Sequence, residues 1–113
     1  MISQGFDPEI KHYALDITAS KDAPVKSIAA GTVVFSEWTS DTGYVIMVKH
    51  RGGMLSVYKH NGALLKKQGE PVLAGEVLAA VGNTGEFSTG PHLHFELWEE
   101  DRPVNPLNYI DFN

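Results

Sequence analysis

The chain has 113 residues, which suits one domain, residues 1–113, with a single hydrophobic core. Its 42% hydrophobic and 10% aromatic residues argue against disorder, and the absence of Cys excludes disulfides, thiol nucleophiles and Cys-ligated zinc. Nine basic and 14 acidic residues give a net charge of −5, and no apolar run approaches the roughly 18 residues of a membrane span. We therefore expect no nucleic-acid partner and no membrane contact from this segment.

Short runs rich in Val, Ile, Phe and Tyr lie between eleven glycines and six prolines, a pattern typical of an all-β domain. No window keeps the 3.6-residue apolar period of a helix for long. In chain order, the predicted strands cover residues 12–18, 25–29, 31–38, 44–50, 55–60, 77–81 and 92–98.

A Gly-Gly pair at 52–53 lies between two of these strands and predicts a tight hairpin, because glycine adopts positive φ without steric cost. A two-residue turn would pair Val48 with Val57, and it would point His50 away from His60.

Two stretches, residues 24–33 and 71–77, share a Pro-Val pair that is followed by a small residue, Gly and a further Val. This similarity hints at two related strand-turn-strand halves within the one domain.

His12 and Asp16 form the first of two compact patterns that involve histidine. Four residues of straight strand span roughly 13 Å, so this pair can share an ion only if the chain bends between them. A His and an Asp at this spacing often occur by chance, and taken alone the pair is explained more simply by two solvated or hydrogen-bonded polar residues.

The second pattern is a strict alternation over residues 92–98, which gives the strand an apolar face and a polar face. The polar face carries His92, His94 and Glu96, with the two imidazoles roughly 6.6 Å apart along the strand. A half-exposed strand without a ligand explains this pattern as well. Combined with His12 and Asp16, however, the strand completes a His/Asp/His set of the kind that binds catalytic zinc, although other divalent transition metals fit it too.

Three segments carry a family resemblance: HYALD at 12–16, VYKHNG at 57–62 and GNTGEFSTGPHLHFELW at 82–98. In this order and at this spacing, the chain resembles the lysostaphin-type zinc endopeptidases, which cut peptide bonds in bacterial cell-wall peptidoglycan. The resemblance runs from about Gly5 to Ile110, and the His-x-His strand is its most specific part.

The resemblance implies one zinc ion per chain, with His12, Asp16 and His94 as ligands, and it implies that His60 and His92 are unligated catalytic histidines. For the fold it implies a groove-bearing antiparallel β-sheet domain with the metal at the groove floor. Zinc there would polarise the scissile carbonyl, while the histidine pair would manage the proton and stabilise the oxyanion.

The chain departs from the family pattern in two places. Ala14 stands where the family usually has Gly, so the bend near the first ligand must form with negative φ. Upstream, the residues at 5–8 replace an Arg-bearing segment that family members often carry.

The resemblance leaves more than one function open. An endopeptidase acting on peptidoglycan peptides is favoured, since all three ligands and both histidines are present. The alternative is a non-catalytic module that binds the cell wall or activates another hydrolase. A carrier domain lacks support, because the hairpin tip at 51–54 has no modifiable lysine.

Substrate and location follow from the family alone. Diaminopimelate links, glycine bridges and non-wall proteins all remain candidate substrates. The family works in the cell envelope, so an export signal is expected upstream of this segment, and nothing in the sequence indicates an oligomeric state.

The remaining polar residues lie outside the ligand set and the catalytic pair. Glu96 either orients an imidazole by accepting its second N–H or makes a structural hydrogen bond. His50 has no partner in either pattern and is interpreted as a surface or structural histidine. The loop at 82–90 is explained by turn formation, and it is also a candidate contact for an extended peptide.

Overall fold

The computed structural model describes residues 2–82 and 91–110. Over these residues the chain is all-β, as predicted, with ten strands and three single-turn 3-10 helices. The strands are β1 (Ile2–Gln4), β2 (Leu15–Thr18), β3 (Pro24–Lys26), β4 (Gly31–Thr39), β5 (Gly43–Lys49), β6 (Met54–Leu64), β7 (Pro71–Val72), β8 (Val77–Val81), β9 (His92–Glu99) and β10 (Arg102–Val104). The 3-10 helices cover Pro8–Ile10, Arg51–Gly53 and Pro106–Asn108, and none of the helices in the described ranges is long and apolar enough to cross a membrane.

All strands belong to one antiparallel sheet with the order β1-β2-β9-β6-β5-β4-β7. β10 pairs with β9, and β8 pairs with both β3 and β6. Because β9 lies between β2 and β6, the three segments that carry the sequence motifs are neighbours in the sheet.

The core lies against the apolar face of β9. Phe95 and Leu97 are each 1% exposed, and the Phe95 ring packs against Tyr58 of β6 at 5.3 Å between centroids. Burying a side chain of this size stabilises the fold by about 1.5–3 kcal/mol. This packing confirms the predicted alternation, and it turns the polar positions of β9 toward the opposite face.

The two similar halves of the chain pair reciprocally. β3 from the first half pairs with β8 from the second, and β4 pairs with β7, with Gly31 opposite Val72. Each half therefore supplies the strand that completes the other, which agrees with the duplication that the sequence hinted at.

The predicted register of the β5–β6 hairpin is wrong by one residue. Val57 lies opposite Met47, not Val48. The connection is a three-residue 3-10 turn over Arg51–Gly53 instead of a two-residue turn, and the His50 amide donates to the Met54 carbonyl across it. Both glycines of this turn do adopt positive φ, as predicted.

Strand boundaries also differ at the first motif. The predicted strand at 12–18 begins only at Leu15, and His12 instead makes an isolated bridge with Asp7. β1, β7 and β10 have two or three residues each, too few for alternation to show in the sequence.

Candidate functional site

His12 lies at the end of a short loop that returns the chain to β2. Asp7 accepts a hydrogen bond from the Glu9 amide and caps the 3-10 helix that Pro8 begins. Lys11 then takes a left-handed conformation with φ of 59°, and His12 pairs with Asp7 through two backbone hydrogen bonds of 2.9 and 2.8 Å. This closed loop fixes the backbone from which the His12 side chain projects.

The chain bends at Ala14, between His12 and Asp16. The bend brings His12 Nε2 to 3.1 Å from Asp16 Oδ2, as sharing one ion requires. Ala14 is only 2% exposed and is not among the described residues with positive φ, so an alanine is compatible with this bend. The departure from the family's glycine therefore leaves the geometry of the pair intact.

His94 reaches the same place from β9. Asp16 and His94 lie directly opposite each other in the β2–β9 ladder, and His94 Nδ1 is 2.8 Å from Asp16 Oδ1. One ligand atom from each of His12, Asp16 and His94 can be chosen so that all three lie within 4.8 Å of one another. The structure thus brings together the three residues that the sequence predicted as metal ligands.

The hydrogen bonds of His12 show which of its nitrogens is available to a metal. Nδ1 lies 2.6 Å from the Gly5 carbonyl, which can only accept, so Nδ1 carries a proton. In the neutral imidazole the lone pair is then on Nε2, the atom that faces Asp16. A lone pair and a carboxylate that face each other at this distance require a positive charge between them.

His94 has the same arrangement with different partners. Its Nε2 lies 2.9 Å from Glu96 Oε2, and its Nδ1 faces Asp16. When Glu96 accepts the Nε2 proton, the Nδ1 lone pair points at Asp16. Two imidazole nitrogens and a carboxylate then converge, and this donor set, without thiolate, suits Zn²⁺.

The charged groups around the cluster also favour a cation at this position. Burial raises the pKa of Asp16, but the hydrogen bond from His94 and the nearby imidazoles outweigh burial and lower it. For His94, burial lowers the pKa, whereas Asp16 and Glu96 raise it above its usual value. The site therefore favours a positive charge on or beside His94, where a proton and a metal ion would compete.

His60 and His92 lie beside this cluster. Their ring centroids are 4.9 Å apart, and the His60 ring is 5.9 Å from that of His94. His60 is 7% exposed and has a φ of 66°, in the left-handed region. This conformation interrupts the alternation of β6, so that Lys59 and His60 both reach residues of the polar face of β9.

The structure shows the contacts of both Glu96 and His50. Glu96 contacts His94, as the first of its two interpretations expected. His50 is structural: its ring lies 2.9 Å from the Ala30 carbonyl and 2.7 Å from the Ser56 hydroxyl. Of the loop at 82–90, residues 83–90 lie outside the described residues.

Two contributors to the site were not predicted from the sequence. The Gly5 carbonyl is a backbone group, and no side-chain pattern marks it. Lys59 pairs with Glu96 at 2.8 Å, although simple alternation would place it on the face opposite His60. Lys59 faces the site through its regular pairing with His94, and the left-handed conformation at position 60 explains why His60 reaches the site as well.

Comparison with known families decides what kind of protein carries this site. Residues 10–106 match the model of Peptidase family M23. The chain belongs to peptidase family M23. The catalytic domain of the M23 enzyme lysostaphin, the antimicrobial peptidase of Staphylococcus simulans, has a TM-score of 0.79 and 30% identity, covering 87% of this chain and 77% of that one. The resemblance stated from the sequence is therefore confirmed.

Other M23 relatives differ in what their names describe. A zinc-containing peptidase from Vibrio cholerae has a TM-score of 0.90 at 30% identity, covering 100% of this chain and 37% of that chain. The DD-carboxypeptidase/endopeptidase Mpg of Neisseria meningitidis serogroup B is 38% identical over 97 residues, which are 86% of this chain and 22% of Mpg. The murein hydrolase activator NlpD of Salmonella dublin is 37% identical over 97 residues, 85% of this chain and 25% of NlpD. This M23 chain thus spans about a quarter of the length of these curated relatives.

Proposed function

We propose that this M23 domain is a zinc endopeptidase that hydrolyses peptide bonds in the cross-links or stem peptides of bacterial peptidoglycan. The observation that carries the proposal is the convergence of donor atoms from His12, Asp16 and His94 beside two further imidazoles. The family, the zinc-containing relative and the endopeptidase name of Mpg support the same activity.

One zinc ion per chain would be held by His12 Nε2, Asp16 and His94 Nδ1. Three protein ligands are typical of catalytic zinc sites, in which a position stays open, whereas structural sites are closed by four. When bound there, zinc supplies a Lewis acid for the scissile carbonyl.

His60 and His92 would handle the proton. An imidazole ring can take up a proton and return it within one reaction cycle. The two rings lie close enough together to act on one substrate group, and a protonated ring can also donate a hydrogen bond to the oxyanion that develops on the carbonyl.

The substrate would be recognised at short range. A net charge of −5 provides no long-range attraction to anionic wall polymers. An extended peptide suits a site on the face of a β-sheet, because backbone hydrogen bonds can align the scissile bond with the metal. Such a substrate places the domain in the cell envelope.

A second candidate function comes from one specific comparison, the similarity to NlpD, which is named as a murein hydrolase activator. Under this alternative, the domain would bind cell-wall material or another hydrolase without cleaving a bond. The complete His/Asp/His set and the adjacent His60–His92 pair favour the enzyme over this alternative.

Digestion of purified sacculi separates the two functions. The domain is incubated with sacculi of different cross-link types, and both new amino groups and new reducing sugar ends are measured. We expect new amino groups alone, their loss on chelation and their return on addition of zinc. New reducing ends would indicate a glycosidase. Sedimentation with sacculi and no new termini at any zinc concentration would favour the binding module.

A further inference from the structure

The carboxylate of Glu96 is held by three donors on the polar face of β9. Oε2 lies 2.9 Å from His94 Nε2 and 2.8 Å from Lys59 Nζ, and Oε1 accepts from Trp98 Nε1 at 2.9 Å. The Glu96 side chain is only 13% exposed. A carboxylate that is enclosed in this way, and bonded through both oxygens, is kept in one orientation.

The positions of these donors follow from the strand pairing. Lys59 lies directly opposite His94 in the β6–β9 ladder, and the neighbouring pair joins Val57 to Glu96. Val57 is 2% exposed, so the charged groups lie over an apolar part of the sheet. A cation beside Glu96 is needed there, because a carboxylate in such surroundings is costly without a partner.

His12 and His94 differ in the group that fixes which ring nitrogen carries the proton. His12 donates a hydrogen bond from Nδ1 to the Gly5 carbonyl, a backbone group that remains after any side-chain substitution. For His94, the corresponding acceptor is the side chain of Glu96. The lone pair that His94 offers toward Asp16 therefore depends on one replaceable carboxylate.

We propose that Glu96 is a positioning residue of the metal site. By accepting the Nε2 proton of His94, it keeps the Nδ1 lone pair directed at Asp16 and at the metal, and Lys59 and Trp98 hold it in place. The inference rests on the metal site of the proposed function and is independent of which bond is cut. An outer carboxylate of this kind typically contributes 10- to 100-fold, by order of magnitude, to metal affinity.

The test compares zinc dissociation constants, measured by competition with a chromogenic chelator. The variants are Glu96→Ala and Glu96→Gln. Glu99→Gln is the matched control, because Glu99 lies on the same strand but bonds to Tyr109 at 3.3 Å. We expect about 10- to 100-fold weaker binding for Glu96→Ala, a smaller loss for Glu96→Gln, whose amide oxygen still accepts, and no change for Glu99→Gln.

Nitrogen NMR of the zinc-loaded protein provides a second measurement that does not depend on activity. In the wild type, His94 should carry its proton on Nε2 alone. Glu96→Ala should weaken this preference, whereas a residue that merely supports the fold would leave it unchanged. Wild-type zinc affinity together with an unchanged tautomer in Glu96→Ala would overturn the inference.

Three further outcomes also decide between the inference and the proposed function. If Glu96→Ala does not fold, Glu96→Gln, which preserves side-chain volume, decides the question, and wild-type affinity in that variant rejects the role. If zinc affinity depends on Glu96 but no peptide is released from sacculi, the inference holds and the endopeptidase proposal fails. A wild-type chain that binds no zinc would overturn both.

Discussion

Replacing His94 by alanine should remove most of the stabilisation that zinc gives to the fold. His94 supplies Nδ1 from β9, while Asp16 and His12 come from β2 and the loop before it, so an ion at this point would join segments far apart in the chain. Without His94, the two remaining ligands lie only four residues apart and hold the ion by a local contact alone.

The size of the effect can be worked out. A structural zinc site of four ligands contributes about 10–16 kcal/mol, which is about 2.5–4 kcal/mol per ligand and about 100- to 1,000-fold in affinity. Zinc at about 100 times the wild-type Kd stabilises the native state by about 2.7 kcal/mol. For a chain of 113 residues, with about 2.1 cal/mol/K of unfolding entropy per residue, this raises Tm by about 11 °C. The same zinc concentration would raise the Tm of His94→Ala by about 2 °C or less.

Thermal melts with added zinc and with chelator measure this difference directly. His50→Ala is the control, because His50 bonds to Ala30 and Ser56, outside the cluster. The His50→Ala variant should have a lower Tm both with zinc and with chelator, and zinc should still raise its Tm by the full amount. If His94→Ala keeps the full increase, His94 is not a ligand and the reasoning from converging lone pairs is refuted.

Three other sets of substitutions test separate parts of the molecule. His60→Ala and His92→Ala should keep the zinc-dependent increase in Tm but slow amino-group release from sacculi by about 10²- to 10⁴-fold, and wild-type rates would exclude a role in proton transfer. Tyr58→Phe removes the acceptor of a backbone amide and should lower the free energy of unfolding in urea by about 1 kcal/mol. Burial raises the pKa of Tyr58, so the native state is favoured fully below about pH 10 and loses this advantage as the pH rises through the native pKa, which an absorbance titration follows. A Cβ on Gly82 would overlap the facing backbone, so Gly82→Ala should cost about 1–3 kcal/mol in the same urea experiment, whereas Gly5→Ala meets open space and should cost less than about 0.5 kcal/mol.

The alternation of polar and apolar residues is enough by itself to predict β9 and its two faces. A strand packed on one side must carry apolar residues at every second position, and Phe95 and Leu97 are buried as this requires. The same pattern places His94 and Glu96 together on the other face, where they are in contact. The ligand set, in contrast, came from the family resemblance, because sequence spacing does not show that His12 and β9 are neighbours.

The bend at Ala14 and the register of the β5–β6 hairpin could not be predicted from the residues. Ala14 carries no signal for a bend, since it takes the turn without positive φ, and the motif around it reads as a straight strand. The hairpin register depends on whether the Gly-Gly turn uses two residues or three, and both choices accommodate two glycines with positive φ.

The position of His60 at the site depends on one backbone angle. Lys59 and His60 are adjacent in the sequence, and a regular strand would send them to opposite faces. The left-handed conformation of His60 breaks that rule, but histidine is not a residue that marks this conformation as glycine would. Such a feature can be found only once the chain is folded.

Charge balance around the cluster links Lys59 to the proposed chemistry. Two partly buried carboxylates, Asp16 and Glu96, lie on either side of His94. If Glu96 had no cation of its own, both carboxylates would draw on the charge of a metal ion and weaken its pull on a substrate carbonyl. Because Lys59 pairs with Glu96, only Asp16 is left to offset a divalent ion, and the site retains net positive charge. That residual charge is what a developing oxyanion needs, so the ion pair between β6 and β9 supports both metal geometry and catalysis.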